Sequence, residues 1–172
     1  MFIMKEGALM KKTKLIVVGT VLALIMLIGG YRLWPWSFES VVGKNMEEMT
    51  VISCCLRVNT SGSQSTYFYD SAEPEKMGEV VEILGSCGYQ KDIRDLWPGG
   101  VHGLSSGRNY DGRDISVTLV FGEHEEWFNL MLVDRGQGIT TDSEVVHLTD
   151  GGAFDRLAEL IQEKGRLAPP VQ

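Results

Sequence analysis

The stretch "DISVTLVFGEHEEWFNLMLVD", residues 114–134, contains the two clearest strands of the chain. Apolar residues occupy every second position in both of its halves: Ile115, Val117, Leu119 and Phe121, then Phe128, Leu130 and Leu132. Alternation of this kind lines one face of a strand with apolar side chains. The residues from Gly122 to Glu125 join the two halves and predict a hairpin.

On both sides of this pair, the apolar spacing predicts four more strands and two helices. The strand segments are "TVISCCLRV" (50–58), "TYFYD" (66–70), residues 89–97 and "ITTDSEVVHL" (139–148). The helical faces are Met77, Val80, Val81, Leu84 and Cys87, then Phe154, Leu157, Leu160 and Ile161. The order β-β-α-β-β-β-β-α favours an α+β fold, an antiparallel sheet of about six strands with two helices packed on one face.

The segment "KKTKLIVVGTVLALIMLIGGYRLWPW", residues 11–36, predicts a transmembrane anchor over residues 15–36. From Leu15 to Tyr31 no side chain is charged, and at about 1.5 Å per residue this run is roughly 25 Å long. Lysines precede it, so residues 1–14 are expected in the cytoplasm as a basic N-terminus and the rest of the chain outside the cell membrane.

A cleaved signal peptide is the alternative explanation of the apolar segment. Cleavage requires small residues at the −3 and −1 positions of the cut site. Ile28 would occupy the −3 position for a cut after Gly30, and Pro35 for a cut after Ser37. We therefore expect an uncleaved, single-pass signal anchor.

The rest of the chain is predicted to comprise a juxtamembrane stalk at 37–50, an extracytoplasmic α+β domain at 51–166 and a flexible tail at 167–172. The residues after Leu33 include 11 basic and 22 acidic side chains, a net charge of −11. Such a charge argues against nucleic acid as a partner. The expected partners are the membrane, through residues 15–36, and an envelope protein, a peptide or a wall component.

The three cysteines, Cys54, Cys55 and Cys87, match no zinc-binding pattern, and no metal or cofactor is predicted. Strand and helix phases place Cys54 and Cys87 in the core and Cys55 on the opposite strand face. A Cys54–Cys87 disulfide is compatible with an oxidising compartment. The alternative is that both are small buried hydrophobic residues with free thiols.

One motif suggests catalysis: "GLSSG", residues 103–107, fits G-x-S-x-G, with Ser105 as the nucleophile and His102 nearby. The mechanism requires a sharp strand-to-helix turn, whereas a glycine-rich loop precedes this motif and another turn follows it. Chance in a chain with 20 glycines explains the match better. A small serine hydrolase using Ser105 and His102 remains the alternative function, and no catalytic residue is predicted.

The loop from Pro98 to Arg113 is long for a compact domain, and loops of that length are often functional. Its aromatic, basic and amide side chains make it the candidate binding loop: Trp97, His102, Arg108, Asn109 and Tyr110. A merely flexible loop is the alternative.

The segments "DGRDISVTLVFG" and "EWFNLMLVDRGQGITT", behind a basic start and one apolar segment, give a layout that resembles small membrane-anchored proteins of Gram-positive bacteria. The resemblance implies a compact α+β ectodomain and assigns no catalytic residue. The expected function is therefore that of a membrane-anchored, extracytoplasmic binding or accessory protein of the cell envelope.

Overall fold

The structure, a computed structural model, describes residues 3–61, 63–71, 73–91, 112–122, 124–134 and 136–169. The chain divides into two compact units, Met1–Trp34 and Pro35–Gln172. The first unit consists of one long helix, and the second contains an antiparallel sheet with the other described helices. The predicted α+β class is therefore confirmed.

Helix α1 of the first unit runs from Ile3 to Leu33. Its large apolar side chains are exposed, from Leu15 at 78% to Ile28 at 42%. The hydroxyl of Thr20 donates a hydrogen bond to the Ile16 carbonyl oxygen at 3.0 Å, so this polar group is bonded within the helix. No helix in the described part of the chain is both long enough and apolar enough to cross a membrane.

The second unit contains three described helices, two 3-10 turns and eight strands. The helices are α2, Phe38–Val42; α3, Gly78–Ser86; and α4, Ala153–Lys164. The 3-10 turns are Met46–Glu48 and Pro74–Met77. The first four strands are β1, Met49–Thr60; β2, Ser63–Ser71; β3, Tyr89–Lys91; and β4, Gly112–Phe121. The last four are β5, Glu126–Val133; β6, Gln137–Thr140; β7, Val145–Leu148; and β8, Arg166–Leu167.

All eight described strands belong to one antiparallel sheet in the order β3-β7-β6-β5-β4-β1-β2-β8. The predicted β4–β5 hairpin lies at its centre and is confirmed, with Ile115 opposite Leu132 and Leu119 opposite Phe128. On the other side of β4, Val117 lies opposite Cys54 of β1. Strands β1 and β2 also form a hairpin, with Cys54 opposite Tyr69.

The expected number of about six strands was wrong, because residues 139–148 are not one strand. They form the end of β6 and the whole of β7, with a turn between them. In that turn the Thr140 N–H donates to the Glu144 carbonyl oxygen at 3.0 Å, and Ser143 has a positive φ of 63°. Polar residues with their own hydrogen bonds thus interrupt the alternation.

Strand β8 is the other additional strand, and it lies across the predicted boundary between the domain at 51–166 and the tail at 167–172. Arg166 and Leu167 pair with Phe68 and Tyr67 of β2. The predicted flexible tail at 167–172 is therefore ordered at its first residue, while residues 170–172 lie outside the described residues. The predicted strand over residues 89–97 is described only as far as Lys91.

One face of the sheet, called here the inner face, carries the core together with α3 and α4. Its central positions in β1 and β4 are fully buried: Ile52, Cys54, Leu56, Ile115, Val117 and Leu119. The cluster also contains eight of the nine residues predicted for the helical faces: Met77, Val80, Leu84, Cys87, Phe154, Leu157, Leu160 and Ile161. The ninth, Val81, is partly buried against the cluster. Tyr67 and Tyr69 of β2 are partly buried against this cluster.

The predicted stalk at 37–50 was wrong, because this segment packs into the core. The Ser37 hydroxyl accepts a hydrogen bond from the Ser40 N–H at 3.2 Å and caps α2. Phe38, Val41 and Val42 are buried members of the core cluster. A helix of five residues is too short for its spacing to stand out in the sequence.

Two connections cross the full width of the sheet. The chain passes from β2 through α3 to β3, and later from β7 through α4 to β8. The two crossings run in opposite directions on the same face. Strands β2 and β3 point one way, and β7 and β8 point the other way. Each edge strand of the sheet therefore follows a helix that begins near the opposite edge.

Candidate functional site

The predicted binding-loop residues lie outside the part of the chain that the structure describes: Trp97, His102, Arg108, Asn109 and Tyr110. Ser105, the nucleophile of the alternative hydrolase, lies outside it as well. Both interpretations of this segment therefore stay predictions.

The cysteines occupy the positions that strand and helix phase predict. Cys54 and Cys87 are buried, while Cys55 is half-buried on the opposite strand face. All three are free thiols, so the disulfide between Cys54 and Cys87 is not formed. Burial raises the pKa of Cys54 to about 12, with the charge of Cys55 adding to the shift.

A cleft between the α2–β1 connection and the β4–β5 hairpin is the best candidate site among the described residues. We call it the hairpin cleft. Its volume is about 450 Å³, within the range of small-molecule sites. Its lining consists of Gly43, Lys44, Asn45, Glu48, Phe121, Gly122, His124 and Glu126.

The wall formed by the α2–β1 connection is held by local hydrogen bonds. Gly43 ends α2 with a φ of 67°, a left-handed conformation that glycine adopts without strain, and its N–H donates to the Glu39 carbonyl oxygen at 2.8 Å. The Asn45 side chain accepts from the Glu47 N–H and donates from Nδ2 to Glu48 Oε1, both at 3.1 Å. The Asn45 and Glu48 side chains are thus positioned at the cleft.

The facing wall is the β4–β5 hairpin, which is joined to the first wall through its backbone. The Gly122 N–H donates to the Glu48 carbonyl oxygen at 2.9 Å. Phe121, the last residue of β4, is 3% exposed and belongs to both the core and the cleft lining. His124 and Glu126 are exposed on the hairpin. The cleft thus has an apolar contact at Phe121 and charged groups on both walls.

One ion pair connects the two walls of the hairpin cleft. The Lys44 Nζ donates a hydrogen bond to Glu126 Oε2. This bond, followed by the charges of Lys44 and His124, lowers the pKa of Glu126. Lys44 is the less exposed partner, with 29% of its side chain accessible against 62% for Glu126. A ligand carboxylate or ammonium could therefore replace one member of this pair.

The described lining residues provide charged and hydrogen-bonding groups, namely an ammonium, an amide, an imidazole and two carboxylates. Among the described residues, no cluster of histidine, cysteine, aspartate and glutamate could hold a metal ion. These lining groups can form ion pairs and hydrogen bonds with a small polar ligand.

Sequence reasoning missed this cleft because its main contact joins distant positions. Lys44 and Glu126 are 82 residues apart. Lys44 lies in the segment expected to be a stalk, and Glu126 is one of several acidic residues in a hairpin turn. No local spacing could have paired them.

Comparisons with protein-family models, with curated proteins and with solved structures find no match.

Proposed function

We propose that this chain is a membrane-anchored binding or accessory protein of the cell envelope, with α1 as its anchor and the second unit outside the cytoplasm. The observation that carries the proposal is the continuous exposure of large apolar side chains along α1, from Leu15 to Ile28. A helix that is apolar on all sides is unfavourable in water and suits a bilayer.

The length and the flanks of the apolar run support the same proposal. The run from Leu15 to Tyr31 is 17 residues, near the short end of the lengths that span a membrane. Trp34 follows it and is 70% exposed, and indole rings favour the headgroup level. The preceding lysines favour a cytoplasmic N-terminus, because positive charge is retained on that side.

Labelling of Cys55 on intact cells tests which side of the membrane the second unit occupies. A membrane-impermeant maleimide should label Cys55, the half-buried thiol, and should spare the buried Cys54 and Cys87. The variant Cys55→Ser should abolish this labelling, which assigns the signal to one residue. Labelling that appears only after native lysis would place the second unit in the cytoplasm and would overturn the proposal.

Membrane extraction tests the anchor itself. The full chain should stay in the membrane pellet after alkaline carbonate washing, whereas Leu22→Arg combined with Leu24→Arg should release it, because two charges near the helix centre are unfavourable in lipid. Leu22→Ile with Leu24→Ile is the matched control and should remain in the pellet. An N-terminus beyond residue 30 in the purified protein would show cleavage and would exclude the anchor.

The role assigned to the second unit is binding, through the hairpin cleft. The support is a cleft of about 450 Å³ in which Lys44 and Glu126 form an exchangeable ion pair. The full chain, tagged and extracted in detergent, can be compared with the variant Lys44→Gln/Glu126→Gln for capture of envelope components. The matched control is Lys76→Gln/Glu73→Gln, which removes another exposed ion pair of the same unit. Equal capture by all three proteins would remove the cleft from the proposal.

A further inference from the structure

Among the residues that the structure describes, β8 covers only part of the outer edge of β2. Of the nine residues of β2, two pair with β8, namely Tyr67 and Phe68. One further hydrogen bond runs from the Ala168 N–H to the Thr66 carbonyl oxygen at 2.7 Å. Pairing between described strands on this edge thus ends well before either end of β2.

The direction of the β2 backbone groups follows from that bond. In an antiparallel ladder, the N–H and C=O of one residue point to the same side, and successive residues alternate between sides. The Thr66 carbonyl points towards β8, so the edge-directed residues are Gln64, Thr66, Phe68 and Asp70. The odd-numbered residues of β2 direct their backbone groups to β1, with which all of β2 pairs.

The composition of β2 suits pairing with a further strand. Its sequence, "SQSTYFYDS", contains Thr and three aromatic residues, one charged residue and no proline. Threonine and aromatic residues favour extended backbone, and a segment with little charge and no proline offers few obstacles to another strand.

The cover over this edge is small and exposed. Strand β8 consists of two residues, and Leu167 is 61% exposed. The Arg166 side chain of β8 forms an exposed ion pair with Asp70 of β2 at 3.3 Å. Exposed ion pairs contribute little to stability. Pro169 and Pro170 follow closely and have no N–H to offer to a further strand.

Helix α4 positions β8 at the edge of β2. It ends at Lys164, and the Gly165 N–H donates to the Ile161 carbonyl oxygen at 2.9 Å. Gly165 lies so close to β2 that a Cβ built on it would be 2.9 Å from the Phe68 carbonyl oxygen. The end of α4 thus directs β8 onto the middle of the β2 edge.

We propose that the edge of β2 is a strand-pairing surface for a second copy of this chain, which β8 keeps closed. Two copies can meet about a two-fold axis at Tyr67. In that register every edge-directed residue has an edge-directed partner, because Thr66 lies opposite Phe68 and Gln64 lies opposite Asp70. In this register the Asp70 carboxylates of the two copies do not lie opposite each other, so no like charges are paired across the interface.

Removing the cover should therefore convert the protein into a dimer. The full chain in detergent is compared with a variant that ends at Gly165, and light scattering measures the mass of the protein in each micelle. We expect the mass of the shortened protein to be twice that of the full chain. A variant that ends at Pro169 keeps β8 and should match the full chain.

A second substitution locates the contact. Thr66→Pro removes an N–H that points away from β1, so the β1–β2 ladder is preserved while the edge is blocked. Added to the variant that ends at Gly165, it should restore the mass of the full chain. A dimer that persists with Thr66→Pro would show that the copies meet elsewhere and would overturn the proposal.

The proposal can also be tested without shortening the chain. Arg166→Pro/Ala168→Pro removes the two β8-side N–H groups that face β2 and should double the mass in the same way. If either opened variant keeps its circular dichroism spectrum and its cooperative thermal transition but has the mass of the full chain, the proposal is wrong.

Discussion

Arg113, the second residue of β4, joins three parts of the second unit through its guanidinium. Its Nη2 lies 2.6 Å from Asp155 Oδ1 in α4, and its Nε donates to Asp134 Oδ1 at 3.1 Å, in the turn after β5. The guanidinium carbon also lies 5.2 Å from the centre of the Phe154 ring. Hydrogen bonding to Asp155, with the charge of Asp134, raises the pKa of Arg113. One side chain thus ties the sheet to α4.

We expect Arg113→Ala to lower the free energy of unfolding by about 1–3 kcal/mol, because it removes several contacts and leaves two carboxylates without their common partner. Arg156→Ala is the control. It breaks the exposed ion pair with Asp150, and exposed pairs contribute little to stability. Urea unfolding of both variants measures the difference, and equal midpoints would show that Arg113 is no more than a surface residue.

The buried thiol of Cys54 makes stability depend on pH in the alkaline range. Its pKa is raised from 9.0 to about 12 in the folded protein, because burial disfavours the thiolate. Below pH 9 the thiol is protonated in both states and this contribution is complete. As the pH rises above 9, ionisation stabilises the unfolded chain and the stability falls, until the folded thiol also ionises.

We expect the free energy of unfolding to decrease above pH 9 in the natural chain and to decrease less steeply in Cys54→Val. The two slopes should differ by at most about 1.4 kcal/mol per pH unit. Urea unfolding at several pH values between about 8 and 11 gives the two slopes. Cys55→Val, at the half-buried neighbouring position, should change the slope less. Identical slopes for Cys54→Val and the natural chain would contradict the assigned burial of this thiol.

At the scale of elements, α3 and α4 each bury a leucine within the face that packs on the sheet. Leu84 and Leu157 are each 1% exposed. Replacing either one by alanine should lower the free energy of unfolding by about 2–5 kcal/mol, because each change removes buried methyl groups and leaves a cavity. Glu82→Ala and Glu159→Ala, at exposed positions of the same helices, should change it by about 0.5 kcal/mol or less. Chemical denaturation of the four variants separates these outcomes.

Regular elements could be predicted from the sequence where their own periodicity is long enough. Strands β1, β4 and β5 and helices α3 and α4 carry several apolar residues at one spacing, and each buries the predicted face. Helix α2 and strand β8 could not be predicted, because five and two residues give no period. They are held by contacts with elements that lie far away in the sequence. The Lys44–Glu126 pair escaped prediction for the same reason.

At the scale of the whole molecule, the second unit has a core of its own and should fold without α1. A protein that consists of residues 35–172 should therefore unfold in one cooperative transition, with the same urea midpoint as the full chain in detergent. A protein that starts at residue 44 is the informative comparison, because it lacks the buried Phe38, Val41 and Val42. It should be less stable by several kcal/mol. Equal midpoints for these two proteins would mean that α2 does not contribute to the core.

The two connections that cross the sheet, one through α3 and one through α4, affect the order in which its strands can pair during folding. The two edge strands pair with strands that are distant in the sequence: β3 pairs with β7, and β8 pairs with β2. These pairs can therefore form only after distant parts of the chain have come together. The pairing of Tyr67 with Leu167 closes a long loop of chain. The entropy cost of closing this loop comes before the contacts form that compensate for it. Refolding should therefore take milliseconds to seconds rather than microseconds. Stopped-flow measurements should show Leu119→Ala, in the central hairpin, slowing refolding, while Tyr89→Ala, at an edge, mainly speeds unfolding.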